Sequence, residues 1–142
     1  MEAVDPKTLW FDTPDSNTLC RGGGNGPNHP SQLYAIEKYV LNGWRFLDYG
    51  SGSGTTYEAI KAKLKGTEFK IKYTGVDIIP KNIEWCKLQW PEARWLVNES
   101  IHKIDQPDKS FDVVYSRHVV DHMDSFEKAL DEHKRVAKKI VI

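Results

Sequence analysis

The sequence has little cysteine, no excess charge of either sign and no long hydrophobic run. Its 142 residues include only two cysteines, Cys20 and Cys86, which are too far apart to suggest a disulfide framework or a zinc site. Lysine plus arginine and aspartate plus glutamate number 20 each, so no broad basic field is available and nucleic acid is disfavoured as a partner. The lack of a signal peptide and of a long apolar run predicts a cytoplasmic protein without membrane contact.

The length predicts one domain behind an irregular arm. A folded chain of this size buries about two-thirds of the surface that its unfolded form exposes, which is enough for a single core. Residues 1–30 contain four prolines and a glycine-rich run without sustained periodicity, so we expect an irregular N-terminal arm there. Residues 31–142 are predicted to form a single domain.

The most informative stretch is FLDYGSGSGTT at residues 46–56. An apolar strand runs into alternating glycines, and helical spacing follows from Tyr57. Glycine backbones can approach a ligand closely, and the start of a helix offers unpaired N–H groups to an anion. A bare structural turn is the alternative. The pattern favours a nucleotide-like cofactor that the backbones of Gly50 and Gly52 approach closely.

Strands and helices alternate along the rest of the sequence. After the strand that ends at the glycines, strands are predicted at 69–77, 93–97, 111–116 and 139–142, and Asp124 with Glu127 predicts a capped helix before the last strand. This alternation predicts a Rossmann-like α/β fold, a doubly wound parallel sheet with helices on both faces and strand order 3-2-1-4-5. Strands 1 and 4 would then be neighbours where ligands bind. Periodic aromatic residues are expected in the core: Trp44, Phe46, Phe69, Tyr73, Trp95, Phe111 and Phe126.

Asp77 ends the second predicted strand, 29 positions after Asp48. A carboxylate at that place can accept two hydrogen bonds from the hydroxyls of a ribose. Aspartate at a strand end is also common as a helix cap, so the ribose role depends on the glycine loop nearby.

The spacing D-x-G-x-G-x-G at residues 48–54, together with Val76-Asp77, resembles the class I S-adenosylmethionine-dependent methyltransferases. The dinucleotide fingerprint differs, because its third glycine would fall at Thr55. The resemblance covers residues 43–142 and implies S-adenosyl-L-methionine as cofactor and methyl transfer as the reaction. It makes Asp48 the leading acid of the first motif and implies cofactor contacts there and at Gly50, Ser51, Gly52 and Gly54. It also implies contacts at Ile78 beside Asp77, at Glu99 or Ser100 after the third strand with Asn98 as an alternative, and at Ser116 and Arg117 after the fourth.

The segment 111–123 looks like the fourth motif of small-molecule and glycan methyltransferases, since it lacks the Asn- or Asp-Pro-Pro-aromatic sequence of the DNA amino methyltransferases. A small-molecule or glycan acceptor is therefore expected. His118 is the first candidate for a general base, and a structural histidine is the alternative. Arg21, His29 and Tyr34 are candidate walls of the acceptor site. His118, His122 and Asp121 share helical spacing, but no third ligand is identifiable, so no metal is predicted.

Two other functions stay open from the sequence. One is a module that binds S-adenosylmethionine or S-adenosylhomocysteine without catalysis, and the other is a dehydrogenase-like nucleotide domain. The resembling family continues its sheet past strand 5 into an antiparallel pair, which this sequence lacks. An apolar strand at 139–142 on a sheet edge is prone to association, so we expect a homodimer through that edge.

Overall fold

The computed structural model describes residues 29–120, 123 and 125–142. The predictions for residues 1–28, Asp121, His122 and Asp124 lie outside the described residues, and these include Arg21 and the capping residue before the last helix. Numbered in chain order, the helices are α1 Pro30–Tyr39, α2 Thr55–Leu64, α3 Pro80–Gln89 and α4 Phe126–Val136. The strands are β1 Arg45–Tyr49, β2 Lys72–Asp77, β3 Arg94–Val97, β4 Phe111–Ser116 and β5 Ala137–Val141.

The five strands form one parallel sheet in the order β3-β2-β1-β4-β5. Asp48 in β1 stands opposite Gly75 in β2 and Tyr115 in β4. The predicted fold class and strand order are confirmed. Because β1 lies between β2 and β4, the direction of winding reverses between β1 and β4. The segments that follow these two strands therefore lie side by side at the carboxyl ends of the strands.

One face of the sheet carries an aromatic core under helices α1, α2 and α3. Phe46, Tyr73 and Tyr115 project from neighbouring strands, and Trp95 joins them from β3. The Tyr73 and Trp95 rings lie 5.3 Å apart between centroids, within the range of favourable aromatic pairs. These rings hold the three helices against the strands that end at the glycine loop.

The other face packs against α4 and the segment 98–107. Leu47, Val76 and Val114 meet Ile104 from that segment and Val136 from α4. The segment contains no helix, and its backbone is fixed by side chains, as described below. Helices therefore cover both faces of the sheet, as the doubly wound fold requires. No helix among the described residues is long and apolar enough to cross a membrane.

The C-terminal end of α4 is capped by a lysine side chain from another segment and not by a glycine. Lys109 has φ of 53°, and its Nζ donates to the carbonyl oxygens of Lys134 at 2.8 Å and Ala137 at 3.0 Å. The lysine thus satisfies carbonyls at the helix end that would otherwise lack partners. β5 then follows α4 without a loop, since α4 ends at Val136 and β5 begins at Ala137.

The prediction that the periodic aromatic residues lie in the core is wrong for two of them. Phe69 is 58% exposed and Phe126 is 57% exposed. Phe69 precedes β2, which begins only at Lys72, so it does not lie on the pleated surface. Phe126 is the first residue of α4, and the buried stripe of that helix comprises Ala129, His133 and Val136 instead.

Candidate cofactor site

The glycine loop between β1 and α2 has the conformation that only glycine adopts without strain. Gly50, Gly52 and Gly54 have φ of 75°, 52° and 77°, all in the left-handed region. The N–H groups of Gly50 and Ser51 both donate to the carbonyl oxygen of Val76, at 2.8 and 2.9 Å. The loop therefore bends across the end of β2 before α2 begins.

Neighbouring side chains pack so closely against the loop that a Cβ would not fit at Gly50 or Gly54. A Cβ on Gly50 would lie 2.1 Å from Val119 Cγ2, and one on Gly54 would lie 2.3 Å from Trp90 Cζ3. Val119 belongs to the segment after β4, and Trp90 caps the end of α3. The loop is thus held between the segment after β4 and the end of α3.

Asp77 joins the glycine loop to the start of α3. Its Oδ2 accepts the N–H of Gly52 and its Oδ1 accepts the N–H of Ile79, both at 2.8 Å. The side chain of Asn82 and the N–H of Ile78 add further hydrogen bonds, while burial raises the pKa of Asp77. The carboxylate is only 8% exposed. In this arrangement the carboxylate fixes the glycine loop. Ile78 takes part through its backbone N–H, which donates to Asp77.

Asp48 lies beneath the loop. Its carboxylate accepts a hydrogen bond from the Tyr73 hydroxyl at 2.5 Å, and it is 2% exposed. Burial raises the pKa of Asp48 to about 7, against the effects of Tyr73, Thr56 and the charge of Arg117, which favour the ionised form. Gln32 in α1 donates to Thr56 Oγ1 at 2.9 Å. A polar network therefore connects α1, α2 and the sheet under the glycines.

The segment after β4 places Ser116, Arg117 and His118 next to this network. Arg117 lies near Asp48 and near the buried Tyr115. His118 is exposed and has φ of 54°, a conformation that non-glycine residues rarely adopt and that often occurs at functional sites. The chain thus turns sharply at His118 before Val119 contacts the loop.

The segment after β3 separates the three alternatives for the adenine contact. The Asn98 side chain is buried and fully engaged, donating to the carbonyls of Ser100 and Lys103 and accepting the N–H of Asp105. The hydroxyl of Ser100 accepts the N–H of His102 at 3.1 Å. Glu99 is exposed. Asn98 therefore organises the backbone of its own loop.

The candidate walls of the acceptor site are less well placed. His29 caps the start of α1, its Nδ1 accepting the N–H of Ser31 at 3.4 Å. Tyr34 is 60% exposed, and its hydroxyl accepts a hydrogen bond from Lys38 at 3.0 Å. Tyr34 therefore belongs to the outer surface of α1. No cluster of three or more metal-ligating side chains occurs in the described part of the chain.

Comparison with known proteins identifies the family. A family model described as methyltransferase domain matches residues 47–140. The chain belongs to this family of methyltransferase domains. The match begins inside β1 and ends in β5, so it contains the glycine loop, Asp77 and the segment after β4. Membership indicates S-adenosylmethionine as the cofactor.

Individual relatives agree on the fold and differ in function. The ribosomal protein L11 methyltransferase of Ralstonia nicotianae is 33% identical over 113 residues, which are 74% of this chain and 36% of that protein. The YcgJ protein of Bacillus subtilis superposes with a TM-score of 0.64 at 25% identity, over 78% of this chain and 47% of that one. The [4+2]-cyclase SpnF superposes with a TM-score of 0.65 at 17% identity, over 82% of this chain and 45% of that one. The chain spans about a third to a half of the length of these proteins.

The residues around the glycines of this methyltransferase domain fit the cofactor. Ser51 Oγ is buried and has no hydrogen-bond partner among the described residues, so a polar group is available at the loop itself. Glu99, Ser100, Ser116 and Arg117 are all partly or fully exposed and follow the strand ends at the same edge of the sheet. An adenosyl amino acid offers hydroxyl, amino and carboxylate groups to such donors and acceptors.

The sequence did not reveal the residues that support the loop from behind. Val119, Trp90, Thr56 and Tyr73 contact or hydrogen bond to the loop and its acid. The ring of Trp90, for example, packs at Gly54. A helical tryptophan and a post-strand valine carry no local signal of such contacts, because the contacts join residues far apart in the chain.

Proposed function

We propose that this methyltransferase domain binds S-adenosyl-L-methionine over residues 50–54 and transfers its methyl group to a small-molecule or glycan acceptor. The observation that carries the proposal is the hydrogen bond from Gly52 N to Asp77 Oδ2 at 2.8 Å. It joins three positive-φ glycines to a carboxylate at the strand end where ligands bind in doubly wound sheets. Family membership supports the choice of cofactor.

Each end of the cofactor has candidate partners. The glycine loop and Ser51 would face the middle of the molecule, and Asp77 would accept from the ribose hydroxyls. Glu99 and Ser100 would contact the adenine. Arg117 offers a guanidinium that matches the amino-acid carboxylate, because its planar fork of donors suits such groups.

The chemistry asks little of the protein beyond alignment and proton removal. When bound, the cofactor supplies a methyl group on a sulfonium, which is already a good leaving group. The chain must orient the acceptor in line with that methyl group and, for a hydroxyl acceptor, remove its proton. His118 is the proposed base, since it is exposed beside Arg117 and held in a sharp backbone turn.

Formation of S-adenosylhomocysteine tests the proposal. The chain is incubated with S-adenosylmethionine and separate sets of hydroxyl- or amine-bearing small molecules and saccharides, and the product is measured by mass spectrometry. We expect acceptor-dependent product, and a His118→Ala variant should form it about a hundredfold or more slowly. The affinity of this variant for S-adenosylhomocysteine should stay within twofold of the parent.

Other outcomes distinguish the alternatives. Tight cofactor binding without product in any set would favour a binding module. Ribosomal protein serves as a separate arm, because the L11 methyltransferase of Ralstonia nicotianae is 33% identical. Product only in that arm would replace the small-molecule or glycan acceptor with a protein.

A further inference from the structure

Three cationic side chains stand in a row at the end of the sheet away from the glycine loop. Arg45, Lys72 and Arg94 are the first residues of β1, β2 and β3. Arg45 is the register partner of Lys72, and Arg94 is the partner of Thr74, which lies on the same face as Lys72. All three are exposed. They occupy the face that carries α4 and the segment 98–107.

The row is not neutralised by the part of the chain that the structure describes. Within residues 29–120, 123 and 125–142, none of the three side chains forms an ion pair or lies over an aromatic ring in a cation–π contact. Asp112 accepts the backbone N–H of Arg45 at 2.9 Å, but its other oxygen lies 3.7 Å from Lys139 Nζ. Arg45 and Lys72 carry like charges at paired positions of neighbouring strands, and like charges repel, so an anionic ligand would relieve this repulsion.

The row has the dimensions of a linear ligand. Adjacent strands lie about 4.8 Å apart, so cations on three neighbouring strands span roughly 10 Å. Two exposed residues precede β2 in the chain: Lys70, and Phe69 three residues before Lys72. The large ring of Phe69 is 58% exposed and does not pack in the core of the sheet.

We propose that these five residues, Arg45, Phe69, Lys70, Lys72 and Arg94, form a binding surface for single-stranded nucleic acid. Guanidinium groups bind phosphate oxygens bidentately, and an aromatic ring next to a cationic track is the arrangement by which proteins stack bases without sequence preference. The balanced charge of the whole chain, 20 cations against 20 anions, argues against a broad basic field but not against this local row.

A lipid surface fits the same residues less well. Peripheral membrane binding needs buried apolar area as well as cations, and Phe69 is the one large exposed apolar side chain of the row. The surface lies at the opposite end of β1 from the glycine loop. The proposal therefore does not depend on the proposed cofactor or acceptor.

Fluorescence anisotropy with a labelled 20-nucleotide single-stranded RNA of mixed sequence tests the proposal. The triple variant Arg45→Gln, Lys72→Gln and Arg94→Gln is compared with Lys81→Gln, Lys87→Gln and Lys128→Gln, which removes the same charge from exposed positions on α3 and α4. At about 100 mM salt we expect the first triple variant to bind at least tenfold more weakly than the parent. The control should stay within a few-fold.

The salt dependence separates contacts in the row from a general charge effect. Each phosphate contact to a single strand contributes about 0.7 to the slope of log affinity against log salt, so losing three contacts should reduce the slope by about 2. Phe69→Ser should weaken binding about fivefold or more with an unchanged slope, because it removes stacking alone.

Several results would overturn the proposal. These are a parent chain that does not bind the RNA, equal losses in both triple variants, or stronger binding to phosphatidylserine vesicles with the same dependence on the three cations. Thermal unfolding and titration with S-adenosylhomocysteine establish that each variant is folded. Both should match the parent, because the three side chains are exposed and lie at the other end of their strands from the glycine loop.

Discussion

Asp48 shows how one buried carboxylate supports the loop without needing to touch a ligand. It is the leading acid of the glycine pattern, and its partners Tyr73 and Thr56 lie in β2 and α2. The sequence indicated its importance, but it could not distinguish a ligand contact from a buried support. That difference depends on which neighbours close over the carboxylate in three dimensions.

The raised pKa of Asp48, about 7, predicts a pH-dependent stability. In the folded state the carboxyl group keeps its proton up to a higher pH than in the unfolded state. Its contribution to the stability of the folded state therefore falls as pH rises from about 4 to about 7. Asp48→Asn keeps the shape and removes this cost. We compare the free energy of unfolding of the variant with that of the parent at each pH. The difference should favour the variant more at pH 8 than at pH 4, by on the order of 3 kcal/mol.

Thermal or urea unfolding across this pH range measures the effect. Asp131→Asn is the matched control, since Asp131 is exposed and its substitution should leave the pH profile of the parent unchanged. If Asp48→Asn and the parent showed parallel profiles, the carboxyl would not be the buried, proton-retaining group inferred here.

Arg117 is predicted to recognise the amino-acid end of the cofactor. Arg117→Gln should weaken S-adenosylhomocysteine binding about tenfold or more, because a hydrogen bond to a charged group contributes about 1.5–3 kcal/mol. Methylthioadenosine has no amino-acid carboxylate, so its affinity should change by less than twofold. Calorimetric titration of both compounds checks this, and equal weakening of the two would assign Arg117 to supporting the loop.

At the scale of elements, sequence periodicity was sufficient for the strands and helices but not for the segment between β3 and β4. The glycines, the apolar strands and the proline at the start of α3 all carry local signals. The segment 98–107 has none, because its backbone is held by its own Asn98 and by two residues of α4, Glu132 and Arg135. Phe69 and Phe126 were misplaced for a related reason: their exposure depends on where β2 and α4 begin.

Arg135 is the clearest test of how that segment is held. Its guanidinium donates to the carbonyls of Ile104 at 2.7 Å and Gln106 at 3.0 Å, and it pairs with Glu132 and Asp108. Arg135→Met should lower the free energy of unfolding by about 2 kcal/mol, since it leaves partly buried carbonyls without donors. Lys134→Met, one residue away and exposed, should cost less than about 0.5 kcal/mol. Urea denaturation that gave equal losses would contradict this account of the segment.

At the scale of the molecule, β5 forms one edge of the five-stranded sheet. The N–H and C=O of Ile142 both bond to β4, so alternate residues such as Val141 direct theirs outward. We predict that the 142-residue chain self-associates through this edge. Val141→Pro should abolish the dimer by removing an outward N–H, whereas Val141→Ala should retain it.

Sedimentation velocity over a range of protein concentrations measures this association. A parent chain that is monomeric at high concentration would contradict the edge prediction. A dimer that Val141→Pro leaves intact would place the interface elsewhere on the molecule.

The central claim is that the loop between β1 and α2 of this methyltransferase domain holds the cofactor. Its most direct test is calorimetric titration of S-adenosylhomocysteine into the parent, Gly52→Ala and Gly66→Ala. Both glycines have positive φ, 52° and 78°, so both substitutions strain the backbone, but Gly66 lies in the open turn after α2 with nothing within 4 Å of its added Cβ. We predict at least tenfold weaker binding for Gly52→Ala and an affinity within twofold of the parent for Gly66→Ala. A folded Gly52→Ala variant that bound as tightly as the parent would contradict the account.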